Sequence, residues 1–61
     1  MSLLLELKHI QLEENELGTF DLVRIYQKKD FEESMGMIYD MDVAIKLAYY
    51  LENQIESGEI I

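Results

Sequence analysis

Thirteen acidic residues against five basic ones give this 61-residue chain a net charge of −8, and it contains neither cysteine nor proline. That balance argues against direct contact with nucleic acid or an anionic membrane surface, since both need cations set against phosphates. The missing cysteines exclude disulfide bridges and thiolate zinc sites, while 49% hydrophobic residues mark a folded domain rather than a disordered acidic tail.

A single small domain over residues 1–61 is expected. Residues 3–12 alternate in part, with Leu3, Leu5 and Leu7 on one face and Leu4, Ile10 and Leu12 on the other, and read as a first strand. Glu13, Glu14, Asn15 and Glu16 form a polar turn, beside which Gly18 can supply a positive φ. Residues 19–27 are rich in β-branched and aromatic side chains and read as a second strand. Lys28, Lys29 and Asp30 suit a tight connection.

In residues 31–39, Phe31, Glu33, Met35, Met37 and Tyr39 alternate with Glu32, Ser34, Gly36 and Ile38. This spacing predicts a third strand, with Gly36 at a bulge or a close approach of backbones. A short helical turn over residues 31–35 is the alternative. The period then becomes helical. Asp40 suits the N-cap and Asp42 faces the positive end of the helix dipole. Ala44, Leu47, Ala48, Leu51 and Ile55 recur at spacings of three and four, and Gly58 stands where a left-handed cap belongs.

The expected fold is therefore α+β: a three-stranded antiparallel meander followed by one C-terminal helix packed on one sheet face, in the order β-β-β-α. One helix covers one face of such a sheet. Because both faces of the first two strands carry apolar residues, a second apolar face is expected to remain uncovered, and such patches mark interaction surfaces.

Reactive groups are sparse. The hydroxyls of Ser2, Thr19, Ser34 and Ser57 lie in no nucleophile-base pattern, and His9, the one histidine, reads as a strand side chain. Glu13, Glu14, Glu16, Glu32 and Glu33 fall in turns or as adjacent pairs, the pattern of solvated charge. Asp40 and Asp42 could open a calcium loop, but the residues after them supply no further oxygen ligands, and helix capping accounts for both. Gly18, Gly36 and Gly58 are isolated and build no phosphate cradle. No catalytic residue, metal or cofactor is expected.

What remains is association. Candidate partner-binding residues are Tyr49, Tyr50 and Lys46 on the helix, Val23 and Ile25 on the central strand, and Glu32 and Glu33 at the start of the third. Tyrosine combines contact area with a polar tip, and the negative charge favours a basic partner by long-range attraction. The sequence thus points to a non-enzymatic regulator or inhibitor that binds a partner protein and forms a homodimer through its uncovered sheet face or edge strand. Two alternatives stand beside it: an accessory component of a larger assembly, and an acidic mimic of nucleic acid occupying a basic cleft. In size and layout alone the chain is similar to short acidic proteins encoded by phages and mobile elements, some of which inhibit host enzymes, a likeness of outline that does not carry function. Leu3-Leu4-Leu5 is too short for an export signal and no run approaches a bilayer span, so the cytoplasm is the expected location.

Overall fold

A computed structural model of the chain describes residues 2–26 and 31–59. In chain order these form β1 (Ser2–Glu6), β2 (Ile10–Glu14), β3 (Phe20–Tyr26), β4 (Phe31–Ile38) and α1 (Met41–Glu56). The strands lie side by side as a four-stranded antiparallel sheet in the order β1-β2-β3-β4, with the helix packed on one face. The α+β class, the antiparallel sheet and the C-terminal helix agree with the sequence reading. The strand count does not: there are four strands, not three.

The difference arises in residues 3–12. They do not run on as one strand but fold back at Leu7, Lys8 and His9 into a hairpin. No Gly, Asn or Asp marks this turn. The Leu7 amide donates to the Ile10 carbonyl at 2.8 Å, and the amide of Ile25 on β3 donates to the His9 carbonyl at 2.8 Å. The amides of His9 and Ile10 are taken up by the helix: both donate to Oε1 of Glu52, at 2.8 and 3.1 Å. A side chain 43 positions away in sequence thus satisfies the turn, which leaves the turn without a local signature.

The second turn carries its own. Glu13 and Glu14 belong to β2, and the loop starts at Asn15. Its side-chain Oδ1 accepts from the amides of Leu17 (2.9 Å) and Thr19 (3.2 Å), and its carbonyl accepts from Gly18 (3.1 Å). This is the local bonding for which Asn is favoured in turns. Gln27 and the connection expected at Lys28, Lys29 and Asp30 lie outside the described residues.

Between β3 and β4 the register passes from Leu22↔Gly36 to Val23↔Ser34 and leaves Met35 as the extra residue of a bulge. Gly36 takes φ 147°, a region that side-chain-bearing residues avoid. The expected alternation along β4 is therefore broken. Phe31 and Glu33 share a face with Gly36 and Ile38, whereas Glu32, Ser34 and Met37 share the other.

The core lies between the helix and the middle of the sheet. Ile10, Leu12, Phe20, Leu22, Ala44 and Ala48 are buried, and Leu5, Leu7, Ile38, Ile45, Leu47, Leu51 and Ile55 pack around them. Cross-strand pairing of Leu5 with Leu12 and of Leu12 with Leu22 lines up the sheet side of this core. Full burial of side chains such as Ile10, Leu12 and Leu22 stabilises the fold by about 1.5–3 kcal/mol each. The two alanines let the helix lie close to the sheet. Asp40 caps the helix, its Oδ1 accepting from the Val43 amide at 3.1 Å. At the other end the Gly58 amide bonds the Ile55 carbonyl and the Glu59 amide bonds the Gln54 carbonyl, at 3.1 and 3.0 Å. That pair, with Gly58 at φ 82°, is a complete Schellman cap.

The face away from the helix differs from expectation. Leu3, Val23, Ile25 and Met37 occupy it, but so do Glu6, Gln11, Glu13, Asp21, Glu32 and Ser34. It is a mixed acidic and aliphatic surface, not an apolar one. Register decided this, because Leu5, Ile10, Leu12, Phe20 and Leu22 all fall on the helix side.

Candidate functional site

Three side chains with ligand chemistry converge where the β1–β2 turn meets the C-terminal half of the helix. His9 sits in that turn rather than within a strand, and its Nε2 lies 3.1 Å from Oε1 of Glu56 and 4.0 Å from Oε2 of Glu52. Glu52 and Glu56 are four residues apart and share one flank of α1. The Glu52 side chain is only 12% exposed. Its Oε1 is fixed by the two turn amides, and its Oε2 is buried without a hydrogen-bond partner. An unsatisfied buried acceptor of this kind costs about 1–3 kcal/mol. Lys8 contributes a cation at the rim, with Nζ 3.8 Å from Oε1 of Glu56. Sequence reasoning passed over this cluster. The i, i+4 glutamates were legible on the helix, but only the tertiary fold brings His9 to them.

A second cluster occupies the far end of the β3–β4 ribbon, on the helix side of the sheet. The Tyr26 hydroxyl donates to Oε1 of Glu33 at 2.9 Å, the Arg24 guanidinium lies 4.5 Å from the centre of the Tyr26 ring, and the Phe31 ring is 5.6 Å from it. The hydrogen bond to Glu33 raises the Tyr26 phenol above its ordinary range, with Arg24 opposing the shift. The register and the Tyr26 hydrogen bond keep Glu33 on the helix side, away from the uncovered face.

The seven residues singled out from the sequence divide among three places. Tyr49, Tyr50 and Lys46 are exposed on the outer face of the helix. Val23, Ile25 and Glu32 lie on the opposite side of the molecule, on the uncovered sheet face. Glu33 points to the helix side with Tyr26. No single surface unites them.

The uncovered face carries the denser chemistry. Glu13 and Asp21 stand directly opposite each other on β2 and β3, a like-charge pairing that destabilises a sheet. Asn15 relieves part of it by placing its Nδ2 at 3.3 and 3.4 Å from the Asp21 oxygens. Leu3 and Met37 flank this pair across the ladder and are 53% and 50% exposed, Glu6 stands opposite Gln11 and Glu32 opposite Ile25 further along the same face, and no lysine or arginine of a described strand falls on this face. Among the described residues no helix is long and apolar enough to cross a membrane. No family model, curated protein or solved structure matches the chain.

Proposed function

We propose that the chain is a non-enzymatic interaction protein, a regulator or inhibitor that docks a basic protein partner on its uncovered sheet face. The observation that carries this reading is the composition of that face. Carboxylates of Glu6, Glu13, Asp21 and Glu32 share this face with the aliphatic side chains of Val23 and Ile25, and no cation of a described strand lies among them. A partner presenting lysines or arginines around an apolar centre would relieve the Glu13–Asp21 repulsion and bury the aliphatic strip in one step. The interspersed aliphatic residues suit a protein surface better than the groove of a nucleic-acid enzyme, where phosphates are replaced by charge alone. The same carboxylates disfavour a second copy of the chain on this face, since like charges would be brought together.

Affinity capture from the native host tests the reading, comparing the wild-type chain, a double charge reversal (Glu13→Lys with Asp21→Lys) and Tyr50→Ala on the outer helix face. A partner held by wild type and Y50A, lost by the double reversal, and released progressively as salt is added is the expected outcome. Capture unaffected by the reversal and by salt would falsify it.

A separate observation favours self-association at another place. The eight-residue β4 forms one edge of the sheet and is exposed along nearly its whole length, with Phe31 53% exposed. Edges of this kind accept a further strand, and the reading that follows is a dimer joined edge to edge through β4.

A further inference from the structure

We propose that His9, Glu52 and Glu56 bind a single divalent transition cation, with Zn2+ as its representative, that ties the first hairpin to the end of the helix. The three residues offer an imidazole nitrogen and two carboxylate oxygens whose ligand atoms all lie within 4.8 Å of one another. In a tetrahedral zinc site, bonds of about 2.0–2.2 Å place neighbouring ligand atoms roughly 3.4 Å apart. The observed separations from His9 Nε2, 3.1 and 4.0 Å, bracket that value, so small rotations of the two glutamates suffice.

Glu52 is prepared for the task. Two backbone amides hold Oε1 and fix the plane of the carboxylate, which leaves Oε2 buried, beside the imidazole, and accepting nothing. A ligand oxygen oriented by hydrogen bonds to its twin is the usual support of a metal site. Glu56 is the last residue of the helix and no basic residue occupies the last turn, so the negative end of the helix dipole adds to the attraction for a cation. Lys8 competes at the same Glu56 oxygen, at the longer distance of 3.8 Å. The fourth tetrahedral position falls to water. One nitrogen and two oxygens suit Zn2+ and its transition-metal neighbours, whereas Ca2+ and Mg2+ call for six or more oxygen ligands or several retained waters. A bound ion would supply the cross-link that a cysteine-free domain of this size otherwise lacks.

The test uses the full chain at neutral pH, with Zn2+ titrated by calorimetry and followed by nitrogen NMR of the histidine ring. Expected are one equivalent bound, a displaced His9 Nε2 resonance, and a melting temperature raised by about 5 °C or more at saturation. Glu56→Gln and His9→Gln should each weaken binding at least about tenfold, while Glu59→Gln and titration with Mg2+ serve as controls without effect. Glu52→Gln, which keeps an acceptor for the turn amides, should also weaken binding while remaining folded. Equal affinity in H9Q or E56Q, an unmoved Nε2 resonance, uptake of several equivalents, or no binding at all overturns the proposal.

Discussion

Glu52 joins two parts of the chain that sequence keeps far apart. One of its oxygens satisfies two amides of a turn with no turn residue in it, and the other lies idle against His9. Removing the carboxylate by Glu52→Ala orphans both amides, and hydrogen bonds to charged groups contribute about 1.5–3 kcal/mol each. A loss of at least about 2 kcal/mol in urea unfolding is expected, a large part of the few kcal/mol a domain this small commands. Glu52→Gln should lose under about 1 kcal/mol, because its amide oxygen can accept the same two bonds and no buried charge is left behind. Similar losses in both variants would show that the turn does not depend on this acceptor. None of this was legible from the residues around His9, where Glu6, Leu7, Lys8, Ile10 and Gln11 carry no turn signal.

At the level of elements, the helix was readable and the first hairpin was not, for one physical reason. The signals of α1 are local: Asp40 bonds an amide three residues on, the apolar stripe follows the helical period, and Gly58 closes the last turn. The signals of the β1–β2 turn come from the other end of the chain. The bulge in β4 falls between these cases, since Gly36 announced an irregularity but not which side chains it would redirect. A Cβ at Gly36 would meet nothing within 4 Å, so space does not oppose substitution there. The backbone does, and Gly36→Ala should cost about 1–3 kcal/mol through its φ of 147° alone. Denaturant midpoints decide this, with Ser34→Ala as the neighbouring control. A neutral G36A would mean that the bulge relaxes readily into regular pairing.

The whole molecule spans 32 × 23 × 15 Å, and the shortest of these admits one sheet and one helix and no third layer. Its association follows from what those two layers leave open. For the site, the sequence offered seven partner-binding candidates as one set, and the structure divides them: Val23, Ile25 and Glu32 share the uncovered face, Glu33 lies on the helix side of the sheet, and Tyr49, Tyr50 and Lys46 lie on the outer face of the helix. Alternation within a strand shows which residues share a face, never which face the helix will cover. Edge-to-edge pairing through β4 predicts that light scattering coupled to gel filtration finds a mass rising from monomer to dimer with concentration. Phe31→Lys combined with Met37→Lys should hold the chain at monomer, because lysine on an edge strand blocks further pairing. A wild-type chain that remains monomeric at every concentration would remove the edge from consideration and leave the acidic face as the sole docking surface.

The carboxylate that closes the first turn also sets an order of events. Until the C-terminal half of the helix is laid against the central strands, water alone can accept from two amides of the opening hairpin, so that turn gains its protein acceptor only when the far end of the chain is in place. The converse holds on loosening: a fluctuation that lifts the tail end of the helix strips the turn of the acceptor for both amides and leaves β1 held by its ladder to β2 alone.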